Sequence, residues 1–133
     1  MIRPTLFLAD DHAEFLNSTA ALLRAHFELI GTAGDGALLV SEVQRLKPDV
    51  VVVDVTMPRM TGIEAVHELI QSGSKSKFVF LTIHSDEEYI KACLGEGALG
   101  FVTKSRMKAH LIPAIYAALD GRSYVEPFPD TQS

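Results

Sequence analysis

Short apolar runs alternate along the chain with stretches in which apolar positions recur every three or four residues. Thr5–Ala9, Val50–Val53 and residues 78–81 are near-continuous apolar runs, and each ends in a polar residue: Asp10-Asp11, Asp54 and Thr82. Runs of this length, rich in β-branched and aromatic residues, suit strands buried on both faces of a parallel sheet. Two weaker runs, Glu28–Ala33 and Gly100–Thr103, bring the strands to five.

Helical spacing fills the gaps. Phe15, Leu16, Leu22 and Leu23 share one side of a helix over about residues 13–26, and Leu38, Leu39, Val43 and Leu46 define a second that Pro48 stops. Ile63, Val66, Leu69 and Ile70 predict a third, closed by Gly73, and a fourth spans about 86–96 with Ser85 or Asp86 as N-cap. The fifth, about 106–121, carries Leu111, Ile112, Ile115, Tyr116 and Leu119. Pro113 lies inside it, so this helix is expected to kink or to start later. Five β-α units in succession mean a doubly wound α/β sheet with helices on both faces. The pattern assigns residues 1–122 to one domain and 123–133, with two prolines and no helical period, to a tail or the start of a linker.

Composition narrows the function classes. A net charge of −5 argues against direct binding of nucleic acid by this chain, which would need a basic surface. No apolar run nears the ~20 residues of a membrane span, and the N-terminus lacks the apolar segment of a secretory signal, so the expected location is cytoplasmic, without membrane attachment. The lone Cys93 agrees with a reducing compartment and reads as a helix packing residue.

The candidate chemistry lies where the runs end. Asp10, Asp11, Asp54, Thr82 and Lys104 each stand at or just beyond the C-terminal end of an expected strand. In open α/β sheets that rim holds the ligand. Three carboxylates gathered there repel and call for protons or a cation; hard oxygen donors suit Mg²⁺. A carboxylate is a competent nucleophile toward phosphorus. The transferring oxygens then need positive charge and donors, which Lys104 and Thr82 offer. Each residue alone has an ordinary explanation as a cap, a solvated lysine or a strand end. All five at successive strand ends do not.

In order, Ala9-Asp10-Asp11-His12, Asp54-Val-Thr-Met-Pro58 with Gly62, Leu81-Thr82, and Gly97-Ala-Leu-Gly-Phe-Val-Thr-Lys104 resemble the receiver domains of two-component response regulators, from about residue 4 to 121. The resemblance implies a flavodoxin-like sheet of strand order 2-1-3-4-5. It implies Asp54 as phosphoacceptor for a histidine kinase or phosphotransfer protein. Asp10 and Asp11 would be the acidic pair, with Mg²⁺ on Asp11, Asp54 and the Thr56 carbonyl, and on Asp10 through water. Lys104 would pair with the phosphoryl oxygens, and Thr82 and Phe101 would be the switch pair. Homodimerisation on phosphorylation is the implied response. Where many receivers have proline after the lysine, this chain has Ser105. The Asp-Asp-His opening and the closing Gly121-Arg-Ser-Tyr-Val125 resemble the NarL/FixJ-like subclass, whose members usually carry a LuxR-type DNA-binding output domain.

Of the histidines at 12, 26, 67, 84 and 110, none has metal-ligand spacing. His12 reads as part of the turn opening the first helix. The resemblance puts His84 near the phosphoryl group, whereas an exposed loop position is its ordinary reading. Two alternatives remain at this point. A receiver-like module that is never phosphorylated usually lacks one of the five residues. An aspartate-based phosphohydrolase commonly has an aspartate two residues beyond the nucleophile, where this chain has Thr56.

Overall fold

A computed structural model describes residues 3–83 and 86–126, so His84 and the tail from 127 onward lie outside the described residues. The strands are β1 (Thr5–Ala9), β2 (Glu28–Ala33), β3 (Val50–Val53), β4 (Lys77–Thr82), β5 (Gly100–Thr103) and β6 (Tyr124–Val125). The helices are α1 (Ala13–Arg24), α2 (Gly36–Leu46), α3 (Gly62–Gln71), α4 (Glu87–Gly95) and α5 (Met107–Leu119). All strand pairs are parallel, in the order β2-β1-β3-β4-β5-β6.

The five expected strands and their order are present, and β6 adds a sixth at the edge beside β5. A two-residue strand has no periodicity to detect. Residues 124–126, which the pattern placed at the head of the tail, thus lie against the sheet, with the Tyr124 and Glu126 N–H groups donating to the Leu99 and Phe101 carbonyls.

The period of two along each strand sorts the core into two layers. Phe7, Val51, Val53, Phe78, Phe80 and Phe101 face α2, α3 and α4, where Leu39, Val43, Val66, Leu69 and Cys93 meet them. Leu6, Leu8, Val50, Val52, Val79, Leu81 and Val102 face α1 and α5, where Leu23, Leu111, Ile115 and Ala118 meet them. Val50–Val53 is buried throughout, as a strand covered on both faces requires. Each such valine contributes on the order of 1.5 kcal/mol or more through burial.

Local chemistry sets the helix ends. The Asp35 carboxylate caps α2 by accepting from the Leu38 N–H at 2.8 Å, and α2 ends just before Lys47 and Pro48. The capping box of α3 pairs Thr61 with Glu64 in both directions. Gly73, at φ +90°, supplies the left-handed turn that ends its last coil. A 3-10 turn at Lys104–Arg106 delays the start of α5 to Met107, and the helix runs on through Pro113, which is solvent-exposed. No helix among the described residues is long and apolar enough to cross a membrane.

β1 lies between β2 and β3, so the chain reverses its winding direction across the β1–β3 pair. A crevice opens beyond the carboxyl ends of the strands at such a point.

Candidate functional site

Asp10 and Asp11 follow β1, and Asp54 follows β3, so the switch point puts all three carboxylates at one place. The ladder extends into them: the Asp10 N–H donates to the Ala33 carbonyl at 3.0 Å and the Asp54 N–H to the Ala9 carbonyl at 2.9 Å. Asp10 and Asp54 are buried, whereas Asp11 reaches solvent. Carboxylate oxygens of all three and a ring nitrogen of His12 lie within 4.8 Å of one another. His12 is the N-cap residue of α1, as the turn reading expected. Its N–H donates to Asp10 Oδ1 at 2.9 Å and its Nδ1 sits 3.4 Å from Asp11 Oδ1, a proximity its sequence spacing did not suggest.

Lys104, carried here by the end of β5, places its ammonium between two of the acids. Its Nζ is 2.8 Å from Asp10 Oδ2 and donates to Asp54 Oδ2 at 3.2 Å. The Thr56 N–H donates to Asp54 Oδ1 at 3.3 Å. Burial raises the Asp54 carboxyl above the ordinary carboxylate range; the Lys104 ammonium pulls it back down, and the Asp10 carboxylate adds to the rise.

The loop that carries Asp54 is clamped from behind. The Gly62 N–H donates to the Val55 carbonyl at 2.7 Å, and a Cβ at Gly62 would stand 2.0 Å from the Asp54 carbonyl oxygen. Only glycine permits that approach, which accounts for Gly62 in the motif.

Thr82 is fully buried at the end of β4, its Cα paired with that of Thr103. Phe101 pairs with Phe80, two residues back on the same strand, so Thr82 and Phe101 share the sheet face covered by α3 and α4. The Phe101 ring is turned in, wholly shielded from solvent, in the layer that contains Cys93 of α4. The Cys93 thiol itself is pushed up to about 12 by burial, which leaves it unreactive.

Besides His12, two further neighbours of the site are not assigned to it by the sequence pattern. The pattern makes Phe15 only an apolar helix position, yet its ring centroid lies 4.4 Å from Lys104 Nζ. Glu126, within the expected tail, is 1% exposed. Its Oε1 accepts from the Thr103 hydroxyl at 2.9 Å and its Oε2 lies 3.2 Å from Arg106 Nε, so it brackets the two residues that flank Lys104-Ser105. Nothing in the local pattern signals either contact. A glutamate before two prolines on an acidic chain looks solvated.

A switch-point crevice lined by three carboxylates and one lysine defines a class: a parallel α/β domain built to take a charged group at its acidic rim. Residues 6–116 match the response regulator receiver domain, and the chain belongs to that family. It is 33% identical over 124 residues to the transcriptional regulatory protein DegU of Brevibacillus brevis, covering 92% of this chain and 52% of that protein. It is 31% identical over 125 residues to the oxygen regulatory protein NreC of Staphylococcus carnosus, covering 92% and 58%. The chain thus spans little more than half the length of these curated relatives. Among solved structures, a LuxR-family two-component response regulator from Aurantimonas sp. SI85-9A1 superposes with a TM-score of 0.89 at 30% identity, covering 94% of this chain and 91% of that one. A LuxR-family DNA-binding response regulator from Staphylococcus aureus shares the fold, with a TM-score of 0.83 at 23% identity and coverage of 87% and 98%. Receiver domains of response regulators are phosphoacceptor switches, and their acidic pocket holds Mg²⁺.

Proposed function

We propose that this domain is a phosphorylation switch in which Asp54 accepts a phosphoryl group from a histidine kinase or phosphotransfer protein. The observation that carries this reading is the Lys104 ammonium held against both Asp10 and Asp54 at the switch point, with Thr82 buried at the next strand end. Asp54 attacks phosphorus through a carboxylate oxygen. The bond to the donor breaks with its electron pair leaving on the donor, and an acyl phosphate forms. Lys104 releases the acceptor oxygen and neutralises a phosphoryl oxygen; the Thr82 hydroxyl donates to another. The Thr56 N–H holds the remaining carboxylate oxygen in place.

The hard oxygen donors of Asp11 and Asp54, with Asp10 behind and the Thr56 carbonyl on the adjoining loop, fit Mg²⁺ rather than a softer metal. When bound, it would neutralise charge between the acceptor and the incoming group. The domain assists its own phosphorylation and dephosphorylation and acts on no separate substrate. As Thr82 shifts toward the phosphoryl group, Phe101 on the same face locks the new arrangement and alters the surface formed by α4, β5 and α5. The outcome is a change in self-association that controls a DNA-binding output domain, in the cytoplasm, with no nucleic-acid contact by this chain. The names of the relatives, transcriptional and oxygen regulatory proteins, support that output.

The test is intact mass after incubation with Mg²⁺ and acetyl phosphate. Gain of one phosphoryl group by the parent and none by Asp54→Ala is expected. No gain by the parent, or equal gain by the variant, overturns the assignment, and sustained phosphate release would indicate a hydrolase.

A further inference from the structure

We infer that Phe15 is a positioning residue for Lys104, its ring face holding the ammonium at the acidic rim. This rests on the reading of Asp54 as phosphoacceptor and adds a residue to that site. The Lys104 side chain has four rotatable bonds and three equivalent donors, so nothing in its own structure fixes where the charge sits. Among the described residues, three contacts do so: Asp10 at 2.8 Å, Asp54 at 3.2 Å, and the Phe15 ring with its centroid at 4.4 Å. The side chain is left 9% exposed. An aromatic face attracts a cation within about 6 Å through its quadrupole, and more strongly once water is removed.

The ring differs from the two carboxylates in what happens to it during the reaction. Asp54 becomes the acyl phosphate and Asp10 is shared with any bound cation. Phe15 has no competing role, so among the described contacts of Lys104 it is the one that holds the ammonium in the same way before and after transfer. It also does not bind so strongly that Lys104 cannot turn to a phosphoryl oxygen.

The fold brings Phe15 there through the acidic pair itself. Asp10 accepts the N–H of His12, the N-cap of α1, and thereby sets where that helix starts. Phe15 is the third residue of α1 and packs half-buried against the layer under α1 and α5. The first turn of α1 thus stands at the acidic rim, where the Lys104 side chain reaches it from the end of β5.

Fluorinated phenylalanines at position 15 test this, because successive fluorines drain the ring's negative face while nearly preserving its shape. The rate of phosphoryl uptake from acetyl phosphate should fall step by step from phenylalanine to the trifluoro ring, reaching about three- to ten-fold, and Phe15→Leu should fall by a similar factor. Thermal midpoints should fall by no more than a few degrees across the fluorinated series, leaving the protein folded at the assay temperature. In a Lys104→Met background the graded response should vanish. Proton NMR of the unmodified protein supplies a readout without chemistry: the Lys104 ε-methylene protons should show an upfield ring-current shift that Phe15→Leu abolishes. A flat rate series in a parent that does take up phosphate, or a graded series that persists in the Lys104→Met background, overturns the inference. If the parent takes up no phosphoryl group, the reading of Asp54 fails instead, and absence of the ring-current shift would still overturn the placement of Phe15.

Discussion

α3 and α4 lie on the same face of the sheet and are nearly equal in length, ten and nine residues, but they are attached very differently. α3 opens with a reciprocal capping box and buries Gly62, Ala65, Val66 and Leu69. α4 buries only Cys93, and its N-cap Asp86 makes no side-chain capping bond. Tyr89 and Ile90 are half-buried, and the exposed pair between His67 of α3 and Glu96 at the end of α4 is a surface contact worth little. The difference teaches how a rigid site and a movable surface coexist in one layer. In the switch proposed above, the helix behind Asp54 keeps the nucleophile in place, and its Gly62 N–H is bonded to the Val55 carbonyl next along the loop. In that proposed switch the helix behind Thr82 and Phe101 is the one that responds, and elements that move are drawn from the weakly held parts of a fold.

Glycine substitutions should break the comparison most visibly. Gly62→Ala drives a methyl group into the Asp54 carbonyl and is expected to cost at least about 3 kcal/mol, with loss of phosphoryl uptake. In the last turn of α4, Gly95 has open space where a Cβ would stand, so Gly95→Ala should gain roughly 0.5–1 kcal/mol from helix propensity. Urea unfolding of the two variants reads both signs; equal losses would show that the helices are held alike.

Hydrogen exchange sharpens the contrast without mutation. Amides of α3 should exchange at least ten-fold more slowly than those of α4, and fluoroberyllate with Mg²⁺ should change protection in α4 while leaving α3 as it was. Uniform protection across both helices would contradict the division of labour.

The caps should differ by a smaller margin. Thr61→Ala removes half of a capping box and should cost about 1 kcal/mol. Asp86→Ala removes no side-chain hydrogen bond and should cost a few tenths, through loss of a negative charge at the helix start. Thermal melts of both variants settle the ranking.

The smallest effect concerns Asp54 itself. Because burial raises its carboxyl in the folded protein, the folded state holds that proton more tightly than the unfolded state does. The ionised group therefore costs stability at neutral pH, and the cost disappears as pH falls through the raised folded value to below the ordinary carboxylate range. Asp54→Asn should melt about a degree or less above the parent at pH 7, and the two curves should converge in acid. A variant that melts lower at pH 7 would mean that the Lys104 contact outweighs burial.

Much of this architecture is readable from the chain. The apolar runs that became β1, β3 and β4 are buried on both faces, so their composition is nearly uniform and their ends are sharp. Asp10, Asp11, Asp54, Thr82 and Lys104 were legible as a set because each breaks or follows such a run, and parallel strands put every break at the same rim. β6 was not legible, since two residues carry no period, and neither was the 3-10 turn that displaces the start of α5.

The sequence by itself therefore determined the alternation of elements, the two-faced core and the three carboxylates and lysine of the acidic rim. Those properties depend on spacing and side-chain type within a few residues. The tertiary structure alone decided which partner each charge meets. Lys104 finds Asp10, Asp54 and the Phe15 ring only when β1, β3, β5 and the first turn of α1 converge. Glu126 is buried only because β6 adds itself beside β5 and brings the carboxylate to Thr103. Contacts between residues far apart in the chain depend on strand order and on which helix end overhangs which strand, and no local pattern of apolar and polar positions encodes that.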